Sequence, residues 1–108
     1  MDTTKLSDTE LAALSAAHPT LPPEYFAYLR DVGWGEADSG RMIYSGPIAP
    51  QDVYGATFNR TDIVLLGDDF QGYGFGYDLT ASTYGETTSN GDWQAWPPDK
   101  GLMRYVGA

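Results

Sequence analysis

The 108-residue chain divides at Gly35, and that division sets most of what it can fold into. Two segments of helical period precede it. After it the sequence turns to Gly, Ser, Thr and Tyr with only short apolar runs. Helices followed by several short, sequence-adjacent strands specify an α+β domain with a mostly antiparallel sheet.

The first helix carries its own start signal. Ser7 and Glu10 fit a capping box, in which each side chain satisfies an orphan backbone N–H. Leu6, Leu11 and Leu14 give an apolar side, and Ala12, Ala13, Ala16 and Ala17 add helix propensity. His18 precedes Pro19, and a pre-proline residue avoids helical geometry, so the helix ends there. Pro22 and Pro23 suit the first turn of a second helix. Tyr25, Phe26, Leu29 and Val32 form its apolar face. Gly33 and Gly35 supply its exit, with Trp34 between them.

Beyond Gly35, Arg41 to Ser45 reads as a strand and Pro50 to Tyr54 as a helical turn. Asp62 to Leu66 is the most strand-like segment, bounded by Asn, Asp and Gly. Tyr73 to Asp78 alternates aromatic residues with glycine at period two. Residues 67–72 read as a hairpin loop. Trp93 to Trp96 reads as a strand broken by Pro97 and Pro98, and Leu102 to Val106 as a strand or short helix. No linker or internal repeat divides the chain, so a single domain spans residues 1–108.

Composition narrows the function classes. Hydrophobic residues make up 42% and aromatics 14%, which argues against disorder. Three Trp, eight Tyr and four Phe exceed what the core must hold, so some are expected at a groove or interface. With no cysteine there is no disulfide, thiol nucleophile or thiolate metal site. Fifteen acidic residues against six basic ones give a net charge of -9. Such a surface repels nucleic acid and anionic lipid and attracts basic partners. The N-terminal residues lack a signal pattern, and Ile63 to Leu66 is too short to span a bilayer, so a cytoplasmic location is expected.

The motifs that could carry chemistry each have a plainer reading. Asp68 and Asp69, with Asp78 nearby in sequence, could bind a divalent cation, but no glutamate closes a twelve-residue calcium loop. A solvated turn is the default. The run Gly72-Tyr73-Gly74-Phe75-Gly76-Tyr77 lacks the following helix of a dinucleotide fingerprint and the lysine of a phosphate loop. His18 is the only histidine and no nucleophile-elbow motif is present, which leaves it a capping or exposed residue. Trp34, Tyr73, Tyr84, Trp93 and Trp96 could stack on ligands, but nucleic-acid stacking calls for a basic groove. Protein-interface anchors are the more natural functional use. No catalytic, metal or cofactor residue is assigned, and an enzyme is not expected.

These residues together resemble the SUKH superfamily, the Smi/Knr-like proteins. Leu21-Pro22-Pro23-Glu24-Tyr25-Phe26-Ala27-Tyr28-Leu29 matches the helix-opening pattern, followed by Gly33-Trp34-Gly35 where the family has a double glycine. Next come Ile63-Val64-Leu65-Leu66-Gly67-Asp68-Asp69 and Gly72-Tyr73-Gly74-Phe75-Gly76-Tyr77-Asp78, then Gly85-Glu86 and the piece around Trp93-Gln94-Ala95-Trp96. Thr87-Thr88-Ser89-Asn90 displaces the family's hydrophobic strand after Gly-Glu. The resemblance implies two N-terminal helices packed on a curved, mostly antiparallel sheet. It also implies an immunity protein that neutralises a cognate bacterial toxin in competition between cells, with a regulatory or scaffolding module as the alternative. The family fixes no binding residues. On physical grounds the expected partner-binding residues are Trp34, Glu36, Asp38, Asp68, Asp69, Tyr73 and Asp78. The expected partner is a basic toxin domain such as a nuclease, bound by a monomer or weak homodimer.

Overall fold

The computed structural model describes residues 2–37, 39–55, 62–70, 73–88, 92–97 and 101–107. In chain order the elements are β1 (Asp2–Thr4), α1 (Asp8–Ala17), α2 (Pro23–Asp31), β2 (Trp34–Glu36), β3 (Met42–Ile48), the single turn α3 (Gln51–Tyr54), β4 (Ile63–Asp68), β5 (Gly74–Asp78), β6 (Thr83–Thr87), β7 (Trp93–Ala95) and α4 (Leu102–Gly107). The strands form one seven-stranded sheet in the order β1-β2-β3-β4-β5-β6-β7. Every neighbouring pair is antiparallel.

The helices begin and end where their caps dictate. Ser7 Oγ accepts the Glu10 N–H at 3.2 Å, and Glu10 Oε1 accepts the Ser7 N–H at 3.0 Å. Those bonds hold the exposed Glu10 carboxyl below the usual carboxylate range. At the other end the His18 N–H donates to Leu14 O, and the chain turns into Pro19. In α2 the core takes Tyr25, Tyr28 and Leu29. Phe26 and Val32 are only half-buried, because Phe26 sits in the seam against Leu11 and Ala12 of α1. Gly33 has φ +103°, and a Cβ there would stand 2.4 Å from the Thr4 backbone of β1. The exit from α2 is thus also the place where β1 and β2 first pair.

Strands β1, β2 and β6 were not expected from the sequence, and Leu102–Gly107 resolves as helix. β1 is wholly polar and lies at an edge. β2 hides inside the Gly33-Trp34-Gly35 segment that reads as a helix exit. β6 shows no apolar run, because Tyr84 is its one large apolar residue facing the core and Gly85 and Thr87 lie on the opposite face.

The sheet has two unlike faces. One carries Ile43, Leu66, Phe75 and Tyr77 into a core with Tyr25, Tyr28 and Leu29 of α2 and Leu102, Tyr105 and Val106 of α4. Phe75 lies between the rings of Tyr105 (centroids 4.2 Å apart) and Tyr84 (5.4 Å). On the other face the Trp93 indole lies across β5 and β6. A Cβ on Gly85 would stand 2.5 Å from Trp93 Cζ2, and one on Gly76 would stand 3.0 Å from Cζ3. Glycine is needed at both places for the indole to lie flat.

Substituting Gly85→Ala forces the indole or the Gln94 carbonyl, itself 2.5 Å from the new Cβ, to move. Denaturant unfolding should show a loss of roughly 1–3 kcal/mol. Gly46→Ala is the control. Its Cβ would meet only Leu14 Cδ1, at an ordinary 3.6 Å, so a change within about 0.5 kcal/mol is expected.

Candidate functional site

A one-residue bulge in β4 builds the site. Leu65 pairs with Gly76, Gly67 pairs with Phe75, and Asp68 pairs with Gly74. Directly paired residues share a face, so Leu65 and Asp68 lie on the same face as Gly76 and Gly74. In a regular strand, positions 65 and 68 would point to opposite faces. The extra residue leaves both Leu66 and Gly67 on the core face and delivers the Asp68 carboxylate to the second face.

Once there, Asp68 organises its neighbours. Its Oδ2 accepts the Tyr44 hydroxyl at 2.5 Å, and its Oδ1 accepts the Phe70 N–H at 2.9 Å. Phe70 has φ +63°, a left-handed conformation that costs a side-chain-bearing residue about 1–2 kcal/mol. The bond from Asp68 fixes that conformation. Behind the strand, the Tyr105 hydroxyl donates to the carbonyls of Asp68 (2.6 Å) and Met42 (3.2 Å). Arg41 Nη1 in turn donates to Tyr105 O at 2.7 Å. Asp69 closes the hairpin: its Oδ1 accepts the Tyr73 N–H and its own N–H donates to Tyr73 O, each at 3.2 Å.

Around this frame Tyr44, Val53, Leu65, Asp68, Phe70, Tyr73 and Gly74 line a cleft of about 260 Å³. Val53 is 54% exposed, Phe70 62% and Tyr73 43%. Three of the four large exposed hydrophobic side chains among the described residues therefore line one cleft. Tyr44 also lines a second groove with Trp34 and Met42, so the two adjoin at its side chain. Glu36, Met42 and Asp68 are successive partners across β2, β3 and β4, with the Glu36 and Asp68 backbones roughly 10 Å apart by strand spacing.

The structure brings Trp34, Glu36, Asp68 and Tyr73 to this face, while Asp69 sits in the hairpin outside the cleft lining. Asp78 departs from the expectation of one acidic cluster. It ends β5 opposite Ile63, roughly 13 Å along the strand from Gly74. There it is buried, and its Oδ1 accepts the N–H groups of Thr80 and Ala81, each at 2.9 Å, in the turn to β6. Asp38 lies outside the described residues. Of the other aromatics, Tyr84 and Trp96 pack on Phe75 in the core. Sequence reasoning missed Tyr44, Val53 and Phe70. A phenylalanine set in the polar stretch Asp68-Asp69-Phe70-Gln71 was the one available signal, since loop positions are ordinarily polar.

No family model, curated protein or solved structure matches this chain. Among the described residues no three His, Asp or Glu side chains are grouped to hold a metal ion. Nor is any described helix long and apolar enough to cross a membrane.

Two outcomes follow for stability. Tyr105→Phe removes the donor to two carbonyls and should cost about 1–2 kcal/mol by chemical denaturation. The phenols of Tyr25 and Tyr105 are pushed above their ordinary value chiefly by burial, and Tyr84 by burial and then by its hydrogen bond to Glu24. Groups with raised folded values stabilise fully below the unfolded value and lose that contribution as pH rises. The contribution of these phenols to stability should therefore be constant up to about pH 10 and fall above it. Phenolate absorbance from these three residues should appear together with unfolding, as read by parallel ultraviolet titration and circular dichroism.

Proposed function

We propose that this chain is a non-catalytic binding protein for a basic protein partner. Within that class we read it as an immunity protein that neutralises a bacterial toxin inside the producing cell by occluding the toxin's active cleft. The observation that carries the binding reading is the clustering of exposed Val53, Phe70 and Tyr73 around a cleft whose charged lining is the carboxylate of Asp68. Apolar anchors at the centre with charge beside them are what interface hot spots require. Three further features agree with it. The net charge of -9 favours a basic partner. Asp68, Asp69 and Asp78 each accept backbone N–H bonds, which gives every one of them structural work other than catalysis. The toxin-directed part rests on the resemblance to the SUKH superfamily carried by Leu21 to Trp96.

The test is a pulldown from the native organism with the tagged chain, followed by association kinetics with the purified partner. One stoichiometric toxin domain, whose toxicity is lost on co-expression, is the expected result. Several substoichiometric host proteins would instead indicate a regulatory or scaffolding module. With partner in hand, the double substitution Asp68→Asn and Asp69→Asn should slow association roughly 3–10-fold at low salt and flatten its salt dependence. Asp78→Asn, away from the cleft, should leave the on-rate unchanged. Equal on-rates for all three proteins would move the binding site elsewhere.

A further inference from the structure

We propose that the cleft between α3 and the β4–β5 hairpin is a receptor for a guanidinium group, filled by an arginine side chain of the protein partner. This rests on the binding-protein reading and specifies its chemistry. Three aromatic side chains, Tyr44, Phe70 and Tyr73, line the cleft together with the Asp68 carboxylate. Aromatic faces attract cations through the ring quadrupole, and a carboxylate adds a full opposite charge. No lysine, arginine or histidine is among the described lining residues to compete for it.

The acceptor chemistry fits as well. A carboxylate offers about four acceptor positions. Tyr44 and Phe70 each engage one oxygen of Asp68, so their bonds orient the group without saturating it. The same bond to the Phe70 N–H holds that residue at φ +63°, with its ring 62% exposed at the rim. The backbone that carries the ring is thus set before any partner arrives. The volume of about 260 Å³ lies just under the roughly 300–1,000 Å³ of sites for drug-sized ligands, which suits one inserted side chain. Arginine matches better than lysine. Its planar, weakly hydrated guanidinium stacks on rings and can meet a carboxylate at the same time.

The probes are N-acetyl-arginine amide and its neutral isostere N-acetyl-citrulline amide, titrated into the whole chain and read by two-dimensional NMR. Arginine amide should shift resonances of Tyr44, Val53, Asp68, Phe70 and Tyr73, with a Kd on the order of 10 mM. Citrulline amide should bind at least about fivefold more weakly, because it keeps the shape and loses the charge. Asp68→Asn and, separately, Phe70→Leu should each weaken the arginine response while the spectrum stays dispersed. Equal responses to the two probes, or shifts scattered away from the cleft, would overturn the guanidinium assignment. If that happens while Asp68→Asn with Asp69→Asn still slows partner association, only this inference falls. If partner association is also unaffected, the assignment of the binding site to this cleft falls with it.

Discussion

The chain's two sheet faces meet at Asp68, and most of the candidate site depends on how that residue is held. Its backbone carbonyl takes the Tyr105 hydroxyl from the helical side, where Tyr105 stacks on Phe75 in the core. Its side chain takes the Tyr44 hydroxyl and the Phe70 N–H on the other side. One residue therefore couples core packing to the geometry of an exposed cleft. The coupling exists because β4 carries a bulge between Leu65 and Gly67. Without that extra residue the carboxylate would face the aromatic core, where an unpaired charge costs several kcal/mol.

The division of labour among the aromatics follows from the same sheet. Period-two alternation sends Phe75 and Tyr77 into the core and leaves Gly74 and Gly76 on the opposite face. Trp93 lies over Gly76 and Gly85, covering part of that second face from within. The part it does not cover holds Tyr44, Phe70 and Tyr73, with Val53 of α3 at the side. Three aromatics that the core does not hold are thus gathered in one place, next to a carboxylate that the hairpin itself has ordered.

Much of the architecture was legible because it rests on local rules. Ser7 with Glu10, Pro22-Pro23 and Gly33 mark helix ends through backbone hydrogen bonding, which acts within a few residues. β4 and β5 announce themselves by β-branched residues and alternation. β1, β2 and β6 do not, since their identity depends on partners distant in sequence. Thr3 pairs with Gly35, and Gly85 is buried because Trp93 lies on it. The site divides in the same way. Asp68, Asp69 and Tyr73 stood out by residue type. Tyr44, from a different strand, and Val53, from a single helical turn, join them only through tertiary packing. Asp78 is adjacent in sequence yet is set at the other end of β5 by the pairing register.

The central claim is that the face bearing Phe70 and Tyr73 is the binding face. It is tested most directly by placing a photoreactive phenylalanine at position 70, and separately at the exposed position 103 on α4, then irradiating with purified partner. A single one-to-one adduct from position 70, with none from position 103, is the result expected. An adduct from position 103 alone, or equal adducts from both, would put the partner on the helical side and contradict the claim.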